Sequence, residues 1–124
     1  MVKFTQAVEA VFANRKIFKS INIETCDAVK CADEILRVAK GKIDNVTIGR
    51  TDLSSSYFDS KIKPDSKLIF DVIEQLSRKV KSAGLALTVG GSITKDSVSK
   101  FKKYHRDWVE RVASIETRKV ILPL

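Results

Sequence analysis

Histidine and cysteine, the side chains that most often announce metal or nucleophile chemistry, are nearly missing from this chain: one His and two Cys in 124 residues. Cys26 and Cys31 are not spaced as CxxC. Positions i and i+5 of one helix face different ways, so neither a disulfide nor a zinc site is expected, and both thiols read as reduced. No apolar run approaches the ~18 residues that span a bilayer. The opening "MVKFTQAVEAVFANRK" has neither a signal-peptide core nor a small-residue cleavage site, so a cytoplasmic protein without a membrane partner is expected. Aromatic residues make up 7% and do not interleave with basic ones as a base-stacking platform requires. "TVGGS" lacks the Gly-Lys-Ser/Thr ending of a P-loop and reads as a tight strand-to-helix turn. Ser54, Ser55 and Ser56 have no His/Asp partners at a recognisable spacing, so a serine nucleophile is not expected.

What is present is an ordinary globular composition, 44% hydrophobic and 31% charged, sized for a single domain over residues 1–124. The net charge is +8, with basic clusters at 61–67, 78–81 and 100–106. Such a balance suits nucleic acid, anionic membranes or acidic substrates. It equally suits solvated helix faces, which is the reading preferred here. With no nucleic-acid motif in view, a nucleic-acid partner is not expected.

Helix-like and strand-like segments alternate. Phe4, Ala7, Val8, Val11 and Phe12 recur at helical spacing. Residues 17–24, "IFKSINIE", read as a strand. Ala28, Ala32, Ile35, Leu36 and Ala39 form a second helical stripe, capped by Thr25 or Asp27 and stopped by Gly41. "IDNVTIG" reads as a second strand, followed by a loop of about fifteen residues. Pro64, Asp65 and Ser66 open a third helix with the stripe Ile69, Val72, Ile73, Leu76, Val80 and Ala83. "LALTVGG" is a third strand, and Thr94 caps a fourth helix running through Ser97, Val98 and Phe101 toward Trp108. "RVASIETRKVIL" supplies the last strand. Strands separated by helical crossovers predict a parallel α/β architecture.

The unusual residues collect at the carboxyl ends of these strands: Glu24, then Arg50 and Asp52, then Gly90, Gly91 and Ser92, then Glu116, Thr117 and Arg118. In parallel α/β folds, ligands bind along that edge. Glu24 and Asp52 either share one hard cation or serve as helix caps and loop ion-pair partners, and two acidic residues alone do not decide between these. Gly49 lets the amides of residues 49–52 approach an anion closely. A metal beside such amides is a receptor for a 2-oxo carboxylate, with Arg50 adding charge. Glu116 and Arg118 either pair with each other or line the rim. His105, in a basic helical run, reads as a surface residue.

"NIETCDAVKCADEIL" followed by "IDNVTIGRTDLSSS" resembles the HpcH/HpaI aldolase and citrate lyase β-subunit family. The likeness continues through "GLALTVGGSIT" and "SIETRKVIL", covering roughly residues 17–122. The resemblance implies a phosphoenolpyruvate/pyruvate-type (β/α)8 barrel using Mg2+ or Mn2+. It makes Glu24 and Asp52 metal ligands and gives the amides of Gly49, Arg50 and Thr51 to the substrate carboxylate. The implied chemistry is aldol or Claisen-type carbon–carbon cleavage on a small 2-oxo acid or an acyl-CoA-type substrate.

The matching strands correspond to the fifth through eighth of such a barrel, which takes ~250 residues in full. The arginine and the basic residue that the family carries on its early strands have no counterpart here, and neither Arg50 nor His105 takes over those roles. Four strands of a barrel leave two open edges and, by expectation, an apolar inner face. The resemblance therefore implies a homo-oligomer, a complementary half-barrel chain, an open sheet, or a piece of a longer protein. The alternative to an incomplete lyase is a non-catalytic α/β interaction or metabolite-binding module.

Overall fold

A computed structural model describes residues 1–13, 15–104 and 106–117. Helix α1 (Val2–Phe12) leads to strand β1 (Ser20–Ile23), then helices α2 (Cys26–Lys30) and α3 (Ala32–Ala39) and strand β2 (Asn45–Gly49). Helices α4 (Arg50–Ser55) and α5 (Lys67–Ser82) precede β3 (Ala86–Gly90). Helices α6 (Lys95–Tyr104) and α7 (Arg106–Val109) precede β4 (Ser114–Glu116). The four strands lie side by side in chain order, every pair parallel. This is the expected α/β alternation.

Period-2 alternation divides each strand between two faces. Ile23, Val46, Ile48, Leu87 and Val89 are buried on one face. They meet Ala32 and Leu36 of α3, Ile69, Ile73, Leu76 and Val80 of α5, and the aromatic trio Phe70, Phe101 and Trp108, in one cluster. Phe101 packs edge-on against both others, its centroid 4.9 Å from that of Trp108 and 5.6 Å from that of Phe70. Each such pair adds about 0.5–1.5 kcal/mol beyond its burial.

The other face departs from expectation. It is polar, not apolar, because the alternate positions are Ser20, Asn22, Asn45, Thr47, Thr88 and Ser114. Their side chains form a ladder across all four strands. Asn45 Nδ2 donates to Ser20 Oγ at 2.8 Å and to Thr47 Oγ1 at 3.3 Å. Thr88 Oγ1 donates to Asn45 Oδ1 at 3.2 Å. Since a hydroxyl has one proton, the 2.7 Å contact of Thr88 with Ser114 has Ser114 donating.

Three local differences have simple causes. The helix expected over residues 28–39 breaks at Cys31 (φ −94°, ψ 10°) into α2 and α3, while Thr25 caps α2 through the Ala28 amide, 3.1 Å from its Oγ1. The expected fifteen-residue loop holds α4, whose short "RTDLSS" carries too few apolar residues to show a stripe. The apolar stripe of α1 stays largely uncovered by described residues: Phe4 is 46%, Val11 73% and Phe12 39% exposed. No helix among the described residues is long and apolar enough to cross a membrane.

Candidate functional site

The strand register aligns a row of four residues at the carboxyl edge. Ile23 pairs with Ile48, so Glu24 stands level with Gly49; Gly49 pairs with Gly90, and Gly90 with Glu116. The row reads Glu-Gly-Gly-Glu, on the face opposite the apolar core. A Cβ at Gly49 would lie 2.7 Å from Glu24 Oε2, and one at Gly90 would lie 3.2 Å from Glu116 Oε2. The glycines are thus a floor over which the two flanking carboxylates lean. This answers why β2 ends in glycine: any side chain at 49 would displace Glu24.

Asp52 sits in the first turn of α4, directly after β2, and is exposed. It lines a rim cleft of 650 Å³ together with Thr51, Ser92, Thr94, Glu116 and Thr117. Thr51 Oγ1 and Ser92 Oγ are hydrogen-bonded at 2.7 Å, which ties the β2–α4 turn to the β3–α6 turn. Gly91 bends that second turn with φ +88°, and a Cβ there would stand 2.6 Å from the Thr51 amide nitrogen and 2.7 Å from that of Arg50. Glycine, with no Cβ and at home at positive φ, lets the two turns come this close.

Neither Glu24, Asp52 nor Glu116 forms an ion pair among the described residues, although the chain carries 23 Lys and Arg. Glu24 has only a 3.5 Å contact from Asn22 Nδ2. Thr25, not Glu24, caps α2, and α4 has no side-chain cap. The bland roles open to these acids from sequence, cap or ion pair, therefore find no partner here. Among the described residues no three His, Cys, Asp or Glu side chains gather into a ready-made metal cage.

Arg50 is placed where sequence reasoning did not look. Its side chain is fully buried. Nη1 donates to Asp65 Oδ1 at 2.6 Å and to the Pro64 carbonyl at 3.1 Å. Nη2 donates to the carbonyls of Gly91 at 2.8 Å and Ser92 at 3.1 Å. The guanidinium carbon lies 5.1 Å from the Phe101 ring centroid, and Nε has no partner among the described residues. Asp65 Oδ2 in turn accepts from Ser97 Oγ at 3.1 Å. The charge expected at the rim is therefore spent as a brace beneath it, and only the Arg50 amide remains for a ligand there. Nothing in the local sequence signalled this, since an arginine after a strand in a basic chain looks like an anion binder. The partner signal was Asp65, read only as part of a helix opening.

Cys26 and Cys31 are free thiols. Cys26 Sγ contacts the Ser56 carbonyl at 3.4 Å, beside a separate cleft that includes Tyr57. Burial, and then the charge of Cys26, raises the Tyr57 hydroxyl above its usual pKa. Glu116 is on the rim, one of the two places open to it. Its alternative partner Arg118, the end of the last predicted strand, and His105 lie outside the described residues.

No family model and no curated protein matches the chain. Solved structures do. The HpcH/HpaI aldolase from Desulfitobacterium hafniense DCB-2 matches 93% of this chain and 41% of its own, at 22% identity and a TM-score of 0.62. The citrate synthase SbnG matches 96% and 44%, at 19% identity and a TM-score of 0.64. A citrate lyase from Burkholderia xenovorans LB400 matches 95% and 40%, at 11% identity and a TM-score of 0.68. These likenesses show the fold, an α/β arrangement of the aldolase barrel type. The chain spans only two-fifths or a little more of each of these three structures, and the matches include the family that its motifs resemble.

Proposed function

We propose that this chain carries the metal-binding part of a divalent-metal-dependent carbon–carbon lyase of the aldolase/citrate lyase type, incomplete by itself. The observation that carries the reading is the rim. Glu24 and Asp52 follow adjacent parallel strands at the same edge, and neither has a cationic partner among the described residues. Two carboxylate donors suit Mg2+ or Mn2+, hard ions that bind through one or two protein carboxylates and keep other positions for water and substrate oxygens. In this reading Glu24 and Asp52 are that donor set. When bound, the ion polarises the 2-oxo group and offsets the negative charge that develops there as the carbon–carbon bond is made or broken.

The chain's own residues supply the rest. In this reading the amides of Gly49, Arg50 and Thr51, at the turn from β2 into α4, take the substrate carboxylate. The Arg50 brace keeps the two turns in register so that those amides hold their positions. The substrate is a small 2-oxo acid or an acyl-CoA-type compound. The two sheet edges, β1 and β4, have no further strand among the described residues, which favours assembly with another copy or with a complementary half-barrel chain.

The test is a melt of the purified chain with pyruvate, with Mg2+, and with both. The reading predicts a rise in Tm for the pair beyond the sum of the separate effects. Additive or absent shifts would leave the second reading, a non-catalytic interaction module. The uncovered stripe of α1, with Val11 73% exposed, is the observation that favours it.

A further inference from the structure

The Glu-Gly-Gly-Glu row has a second carboxylate that the reading above leaves without a task. We propose that Glu116 is the proton-transfer group of the rim cleft, exchanging a proton with the carbon next to the carbonyl of a bound 2-oxo acid; this rests on the lyase reading above. Three observations support it. Glu116 lines the same cleft as Asp52 and Thr51, so it borders the space where a small acid is held. Its Oε2 leans inward over Gly90, 3.2 Å from where a Cβ would be, so the glycine clears a path between this carboxylate and the ligand site. It has no hydrogen bond or ion pair among the described residues that would tie it up.

The other described groups of the cleft are poorly suited. Thr51, Ser92, Thr94 and Thr117 carry hydroxyls, which are weak bases with no imidazole beside them. Asp52 is assigned to the ion by the lyase reading, and Glu24 is not among the residues lining this cleft. A carboxylate suffices as base once the neighbouring carbonyl is polarised, and a positioned base contributes about 10²–10⁴-fold.

The step balances without a co-reactant. In cleavage of a 4-hydroxy-2-oxo acid, Glu116 takes the proton of the 4-hydroxyl. The C3–C4 bond breaks, its electron pair stays with the 2-oxo acid fragment, and the aldehyde leaves. Protonated Glu116 then returns the proton to C3. The same cycle run backward makes the bond.

Proton exchange at C3 needs only the 2-oxo acid, so it can be read on an incomplete lyase. The chain is incubated with pyruvate and Mg2+ in D2O, and loss of the methyl proton signal is followed by NMR. The expected result is exchange above the rate of Mg2+ alone, about 10²–10⁴-fold slower in Glu116→Gln and partly kept in Glu116→Asp. The joint Tm rise given by pyruvate and Mg2+ should persist or grow in Glu116→Gln, because the variant removes a negative charge beside an anionic ligand, so lost exchange is not lost binding. Parent-level exchange in Glu116→Gln overturns the assignment, as does a loss of exchange that merely follows a loss of binding. If the parent shows the joint Tm rise but no exchange, the assignment falls while the lyase reading stands. If it shows neither, both fall.

Discussion

The two faces of this sheet are written in different residues although they share every strand. One face, Ile23, Val46, Ile48, Leu87 and Val89, is sealed beneath α3, α5 and the aromatic trio. The other, Ser20, Asn45, Thr47, Thr88 and Ser114, is joined by side-chain hydrogen bonds and ends in the Glu-Gly-Gly-Glu row. The lesson is a division of labour. Burial on the first face holds the fold, while the second satisfies its own polar groups and ends in carboxylates without ion pairs among the described residues. A face that already bonds to itself needs no apolar cover, so any drive to associate falls on the two open edges, β1 and β4, and not on this face.

The comparison can be broken at several points. The largest effect is expected on the sealed side. Phe101→Ala removes a fully buried ring that touches Phe70, Trp108 and the Arg50 guanidinium, and should destabilise by about 3–5 kcal/mol in urea unfolding. A loss under ~1 kcal/mol would mean that this side does not carry the fold. Arg50→Met should be comparable, about 3 kcal/mol, because it strands Asp65 and the carbonyls of Pro64, Gly91 and Ser92. The loss should shrink markedly when Asp65→Asn is already present, the sign of a coupled pair.

On the open side the expected effects are smaller. Asn45→Ala leaves Ser20, Thr47 and Thr88 short of a shared partner and should lower stability by about 1–3 kcal/mol. A neutral result would mean that the ladder is ornamental. The smallest effect concerns pH. The Tyr57 hydroxyl has a raised pKa in the folded chain, mainly from burial. Its contribution is therefore fully present below the ordinary tyrosine pKa of ~10 and is lost as pH rises through the higher folded value. Tyr57→Phe should flatten the fall in stability over that alkaline range, measured as Tm against pH.

Much of the fold was legible because it rests on periodicity. The stripe Ile69, Ile73, Leu76 and Val80 marks α5, and the alternation in "NVTIG" marks β2. The polar inner face was written in the same alternation, in Ser20, Asn45, Thr47 and Thr88. The likeness to a barrel points the other way, because parallel barrel strands are buried on both faces. Of the rim, the positions of Glu24 and Asp52 after neighbouring strands were readable from the order of the elements. The facing of Glu24 and Glu116 across two glycines was not, because it depends on three registers at once. The role of Arg50 was hidden for a related reason. Its partners at 65, 91 and 92 are far away in sequence, and a side chain's direction is decided by tertiary contacts.

The central claim is that Glu24 and Asp52 hold one divalent ion together. Titrating the chain with Mn2+ in a calorimeter, alongside Glu24→Gln and Asp52→Asn, tests it most directly. The prediction is one ion bound by the parent and affinity lowered at least tenfold in each variant, with stability in the absence of metal changed by no more than about 0.5 kcal/mol. Binding of equal strength in the parent and both variants would contradict it.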